Sequence, residues 1–214
     1  MNFSLEFDRV DWLYATFWIS LMLCAIGAIF SERLRMLTLH GKLLNGKSPE
    51  YSVPKIWFGH FYIFAAIALP FSRSLTFGIF LFWIHLFRRV CEQVFLFPGS
   101  NDSRMHIMAY VFGFVYYMMA ILTVPDVPYS PTLFLFSNVT QYISHRALYL
   151  NRASKSELPD HFFFKFYTCP HYLSEMLIYI SLISDFSSLT LALFVIISLS
   201  LNWRNQCIWY NSKI

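Results

Sequence analysis

Seven stretches of the chain are apolar on every side of a helix: residues 12–30, 56–71, 74–87, 105–124, 131–145, 170–184 and 187–203. Each is within or just under the length needed to cross a hydrocarbon core of about 30 Å. The pattern therefore predicts an all-α membrane protein, a bundle of about seven transmembrane helices, of which the third and fifth runs are short. Strands are not expected within the runs, because the apolar positions do not alternate and a spanning backbone must satisfy its own hydrogen bonds.

Composition agrees with this pattern. With 57% apolar, 20% aromatic and only 13% charged residues, the chain lacks the polar surface that a water-soluble domain of 214 residues needs. The basic residues then orient the bundle. Arg33, Arg35, Lys42, Lys47 and Lys55 follow the first run; Arg88, Arg89 and Arg104 follow the third; Arg146, Arg152, Lys155 and Lys165 follow the fifth; Arg204 and Lys213 follow the seventh. The opposite side holds only Arg9 and Arg73 of the 16 basic residues. Cytoplasmic loops carry the Lys and Arg excess, so the amino end is expected to be lumenal and the carboxyl end cytosolic. The same count explains the formal charge of +4 without a nucleic-acid partner. Glu6, Asp8 and Asp11 make the amino end acidic, unlike a secretory signal, so the first span is expected to be retained. Cys24, Cys91, Cys169 and Cys207 show neither metal-ligand nor disulfide spacing, and read as packing residues.

The runs leave a single multi-pass domain over 1–214, without repeats or a long linker. The connections at 72–74, 125–130 and 185–187 are short, whereas 31–55 and 146–169 are long and polar, so function is expected on the cytosolic side. An ionisable residue inside a span is costly and faces a bundle interior or a wet cavity. His60 and Tyr62 lie just inside the second run, where an imidazole serves either packing or chemistry. His85, Arg88 or Arg89, and Glu92 share one helical face. A snorkelling helix end explains the arginines but not the carboxylate. Tyr110, Tyr116 and Tyr117 read as interfacial or packing residues. Glu175 follows His171 by about a turn at the start of the sixth run, where a helix amino end near arginines suits phosphate. An ordinary capped helix is the alternative there.

These residues also carry a likeness. The chain resembles the steroid 5α-reductase family, and within it the branch that reduces polyprenal or polyprenol. The resemblance rests on Val53-Pro54-Lys55 before Trp57-Phe58-Gly59-His60-Phe61-Tyr62, on His85 to Glu92, and on Tyr110 with Gly113 to Tyr117. Its most specific part is His145, then Arg152 seven residues on, then Leu158-Pro159 leading into Cys169-Pro170-His171-Tyr172-Leu173-Ser174-Glu175. It implies a multi-pass oxidoreductase of the endoplasmic reticulum membrane, with the family's reductase region at about 105–214. Such an enzyme takes a hydride from NADPH to saturate a carbon–carbon double bond. The implied activity is reduction of the α-isoprene double bond of polyprenal or polyprenol toward dolichol for protein N-glycosylation. The partners implied are a long-chain isoprenoid substrate and membrane lipid. The seven glycines form no Gly-x-Gly-x-x-Gly turn, in keeping with a cofactor held in a helical bundle instead of a Rossmann domain.

By position, Gln141, His145, Arg152, His171, Glu175 and Tyr210 match the family's cofactor-contacting places, with Gln141 and His171 standing where the steroid enzymes have asparagines. His60 and Leu86 stand where those enzymes hold polar, substrate-facing Gln and Tyr, which argues against a 3-keto steroid substrate. Ser156-Glu157 replaces a Tyr-Arg pair, removing one expected phosphate contact, and the family pattern runs on past Lys213-Ile214.

An enal conjugates its double bond to a carbonyl that accepts developing charge, so the aldehyde is the better substrate. The residues expected to act on it are His60 or Tyr62 as carbonyl donor, Arg89 and Glu92 to orient that end, and His85 to assist proton delivery. Two rivals are a trans-2-enoyl-CoA or steroid double-bond reductase, and a non-catalytic lipid-binding protein. The first would need more basic residues near the cytosolic mouth, and the second would tolerate apolar residues at His60, Glu92 and Glu175.

Overall fold

Each apolar run folds as one helix in the computed structural model, which describes residues 9–31, 34–35, 51–96, 104–151 and 158–212. In chain order the elements are α1 (Arg9–Phe30), β1 (Ser52–Pro54), a single 3-10 turn (Lys55–Trp57), α2 (Phe58–Ser72), α3 (Phe77–Phe95), β2 (Arg104–His106), α4 (Ile107–Thr123), α5 (Pro131–Leu150), α6 (Phe162–Phe166), α7 (Pro170–Ser181) and α8 (Phe186–Asn211). Among the described residues, three segments are long and apolar enough to cross a membrane: Asp11–Phe30, Lys55–Ser72 and Phe186–Asn211. The 17 residues of α4 form a shorter apolar helix. The protein is thus a mainly helical membrane protein.

Local chemistry sets the helix starts. Ser130 caps α5 by accepting from Leu133 N at 3.4 Å, and Pro131 supplies the fixed φ suited to a first turn. Asp185 opens α8 with a capping box: its Oδ1 accepts from Ser188 N at 2.7 Å while Ser188 Oγ accepts from Asp185 N at 3.1 Å.

Three helix ends depart furthest from the hydropathy reading. The third run ends at 87, the fifth at 145 and the seventh at 203, but α3 continues to Phe95, α5 to Leu150 and α8 to Asn211. Arg88, Arg89 and Glu92, read as one helical face, accordingly lie on α3, and Arg146 and Arg204, counted with the connections, lie on α5 and α8. The reason is that helix propensity and burial extend past the point where apolarity falls, since Arg, Glu and Gln are all good helix formers. One short strand enters a run, against expectation: β1 and β2 pair antiparallel with Ser52 opposite His106, and β2 takes Met105 and His106 from the start of the fourth run. The long polar segment at 36–50 and residues 152–157 lie outside the described residues.

The contacts give each helix a direction. Trp12 meets Phe186 at 5.4 Å and Trp18 meets Phe194 at 5.5 Å, so α1 and α8 run parallel. Trp83 reaches the Ala66 carbonyl at 2.9 Å while Arg89 reaches Tyr62, so α2 and α3 are antiparallel. The bundle's core is aromatic, built around Trp18, Phe61, Phe82, Tyr117, Phe134 and Tyr179. Gly113 lets α4 approach α2: a Cβ there would lie 2.5 Å from the Phe61 ring. Outward-facing Leu23, Phe30 and Phe71 stay exposed, as suits a lipid-facing surface.

Candidate active site

The polar face of α3 predicted from its spacing is present, and α5 matches it rung by rung. His85 Nδ1 lies 2.9 Å from Asn138 Oδ1, Arg88 donates to Gln141, and His145 Nδ1 lies 2.7 Å from Glu92 Oε2. In all three pairs the partner is 53 residues further along. A constant offset means two parallel helices in fixed register. The steps of three and four residues on α3 are repeated on α5, which keeps both polar stripes face to face. Arg89 is 8% exposed and Glu92 2%, so this is a buried network and not a snorkelling end.

The ladder centres on Glu92, whose carboxylate accepts from both Arg88 and Arg89 and meets His145. Buried guanidiniums require such partners, and Glu175, held by Gln141, is the second carboxylate of the network. Asn138 donates its amide to the Phe134 carbonyl at 2.9 Å, which aims its Oδ1 at His85 and makes His85 Nδ1 the donor. His85 Nε2 is then an acceptor when the ring is neutral. It sits 3.7 Å from Glu175 Oε1 and has no hydrogen-bond partner among the described residues. Glu175 in turn accepts from the Gln141 amide.

Arg89 extends the network across to α2 by donating to the Tyr62 hydroxyl oxygen at 2.9 Å. A cationic donor on the phenol oxygen leaves the O–H to donate elsewhere and polarises it. Tyr62 and Arg89 both line a cavity of 590 Å³ walled by α2, α3, α4, α5, α7 and α8. The volume falls within the range of small-molecule and cofactor sites.

The cavity gathers most of the residues singled out from sequence. Tyr62, Arg89, Gln141, His145, His171, Glu175 and Tyr210 all line it. His85 and Glu92 stand behind the wall and act on it only through Glu175, Arg89 and His145. His60 is elsewhere: it is exposed, pairs with Tyr110 OH at 3.0 Å, stacks near Trp57 and is not among the residues that line the cavity. Arg152 lies outside the described residues. Six lining residues that escaped the sequence reading stand out. Tyr116 and Tyr117, read as packing, form part of the wall, as does Cys169. Ser198, Asn202 and Gln206 lead to Tyr210 at intervals of four along α8. That i, i+4, i+8 stripe of polar residues in an apolar helix was the signal available for them.

The donor set suits a nicotinamide dinucleotide. Carboxamides at Gln141, Asn202 and Gln206, imidazoles at His145 and His171, a carboxylate at Glu175 and phenols at Tyr172 and Tyr210 offer hydrogen bonds along one continuous cavity. Its aromatic and aliphatic wall at Phe58, Phe194, Val195 and Leu199 offers a place for an apolar ligand.

Comparison with known proteins points to the same chemistry. The family model for 3-oxo-5-alpha-steroid 4-dehydrogenase matches residues 103–214, from β2 through α8. The chain is 26% identical to polyprenal reductase 1 of Arabidopsis thaliana in an alignment covering 96% of this chain and 94% of that protein. It is 27% identical to the polyprenal reductase of Saccharomyces cerevisiae, over 77% of this chain and 70% of that one. For the Homo sapiens polyprenal reductase the identity is 25%, over 74% and 71% respectively.

Proposed function

This chain belongs to the 3-oxo-5-alpha-steroid 4-dehydrogenase family, and we propose that it reduces the α-isoprene double bond of polyprenal with NADPH, toward dolichol for protein N-glycosylation. The observation that carries the proposal is the Tyr62–Arg89 pair facing the same cavity as Gln141, His145, His171, Glu175 and Tyr210. A hydroxyl donor for a carbonyl and a dinucleotide-compatible wall share one volume.

When bound, NADPH supplies a hydride to the β-carbon of the enal. Tyr62 donates its O–H to the aldehyde oxygen, where negative charge gathers as the enolate forms, and Arg89 supports the phenol from behind. Glu92 holds Arg89 and His145 in place. A proton must then reach the α-carbon: His85 that has first been protonated at Nε2 can pass that proton to Glu175, 3.7 Å away, and return to its neutral form. Gln141, His145, Arg152, His171, Glu175 and Tyr210 hold the cofactor. The hydrocarbon tail of the substrate leaves between helices into lipid.

The bundle is a single domain that crosses the endoplasmic reticulum membrane seven times, amino end lumenal and carboxyl end cytosolic. Helix direction supports this: α1 parallel to α8, α3 parallel to α5 and α2 antiparallel to α3 are what alternation through seven crossings requires. Arg73, an exception in the charge count, is neutralised by Asp126 at 2.9 Å.

The test is expression in microsomes lacking their own activity, supplied with NADPH or NADH and a short polyprenal, polyprenol or enoyl-CoA, with product identification by mass spectrometry. NADPH-dependent formation of the α-saturated product from polyprenal is expected. No product from any of the three substrates would sink the reading.

A further inference from the structure

A second cavity, of 170 Å³, lies between the carboxyl-terminal halves of α1 and α8. It exists because α1 turns only Ala25 and Ala28 toward Ser198 and Leu201, and side chains that small leave the groove between two parallel helices unfilled. Both helices are long and apolar enough to span a bilayer, and α1 buries little of its own surface, so the groove lies at the edge of the bundle.

Its chemistry changes along its length. Ala25, Ala28, Ile29, Leu201 and Ile208 make an apolar floor, with Ile29 and Ile208 exposed at the rim. Arg35, just past the end of α1, and Arg204, on the last turns of α8, bring two guanidiniums, joined by the carboxamides of Asn202 and Asn205. No Asp or Glu is among the described residues that line it. A narrow apolar slot leading to a paired cationic, amide-rich head matches one kind of molecule in the membrane.

We propose that this groove is a binding site for an anionic phospholipid, with an acyl chain along Ala25, Ala28 and Ile208 and the headgroup phosphate between Arg35 and Arg204. Guanidinium forks pair well with phosphate oxygens, and basic pockets between spanning helices recognise anionic headgroups. The site is independent of the reductase reading. It shares Ser198 and Asn202 with the larger cavity, but Arg35 and Arg204 face only the smaller one.

The full chain, reconstituted in phosphatidylcholine vesicles doped with phosphatidylinositol and extracted in mild detergent, should carry co-purifying phosphatidylinositol enriched over its vesicle fraction. Two cationic groups lead us to expect roughly thirtyfold enrichment. The double variant Arg35→Gln/Arg204→Gln should return the ratio to that of the vesicle. Ala28→Leu, which fills the slot and keeps both arginines, should do the same. Bulk composition in the unaltered protein, or enrichment that survives both variants, would overturn the proposal. Competition on the unaltered protein needs no variant to fold: inorganic phosphate and NADPH should leave the enrichment unchanged. Displacement by phosphate would reassign the site to a free anion, and displacement by NADPH to the cofactor, and either result would overturn the lipid.

Discussion

The two ends of the bundle both use arginine to hold helices together, but under opposite conditions. At one end Arg88 and Arg89 are drawn into the interior, where Glu92, Gln141, Asn138 and Tyr62 must satisfy them. At the other, Arg73 closes the short connections by donating to the Ile121, Leu122 and Val124 carbonyls at 3.2–3.3 Å and to Asp126, whose side chain is 58% exposed. The second arrangement ends in itself, since every donor used is spent on a turn. The first brings polar groups to a hole: the Tyr62 phenol and the Glu175 carboxylate line it, and behind them His85 Nε2 has no hydrogen-bond partner among the described residues. Placement of hydrogen-bonding groups beside a cavity, and not the presence of charge, marks the end where chemistry is expected.

The largest break in that comparison should come from Glu92→Ala. Removing the carboxylate that both guanidiniums bond leaves them without their direct ion-pair partner, and breaking a buried pair from one side costs about 3–5 kcal/mol. Thermal unfolding in detergent should show a large loss, accompanied by loss of reductase turnover. A variant as stable as the parent would mean that the ladder is not what holds α3 to α5. Tyr62→Phe should separate chemistry from stability. Deleting one preorganised donor to a developing oxyanion lowers kcat by about 10²–10³-fold, with the KM for NADPH and the unfolding temperature close to those of the parent. A matched rise in the KM for NADPH would place Tyr62 with the cofactor instead.

Much of this polar end was legible beforehand, because helical spacing alone puts His85, Arg89 and Glu92 on one face. What spacing on a single helix cannot reveal is the partner. The 53-residue offset to Asn138, Gln141 and His145 exists only once α4 has folded back and made α3 and α5 parallel. His60 and Tyr62 illustrate the same limit: both sit near the start of α2, but two residues turn a side chain by roughly 200° on a helix of 3.6 residues per turn. One therefore faces the cavity and the other Tyr110. Tyr116 and Tyr117 were taken for packing because a phenol at an interface and a phenol in a cavity wall look alike in sequence. Each of the seven runs holds a helix, since apolarity on all sides does not depend on knowing the partner. The helix ends are less legible: propensity carries α3, α5 and α8 beyond the apolar stretch.

At the opposite end the effects should be smaller and confined to stability. Gly78 packs where its N–H donates to the Asp126 carbonyl at 2.7 Å, and a Cβ there would lie 2.9 Å from that residue's backbone carbon. Backbone cannot swing aside as a side chain does, so Gly78→Ala should destabilise by about 1–3 kcal/mol, read as a lower unfolding temperature with kcat per folded molecule unchanged.

Asp126→Asn is the mildest change and the sharpest check on the comparison. The substituted side chain keeps an oxygen where Oδ1 now accepts from Arg73 at 2.9 Å and from Thr76 Oγ1 at 3.0 Å. Both hydrogen bonds can persist, and only the charge is lost. Because the carboxylate is more than half exposed, solvent already screens that charge, and the expected cost is about 0.2–1 kcal/mol. Arg73 keeps its three carbonyl acceptors, so the turn should hold, and reductase turnover should stay at the parent level. A fall in kcat comparable to that of Tyr62→Phe, with stability preserved, would show that the clamp reaches the reacting groups. The division between an end that closes the bundle and an end that uses it would then fail.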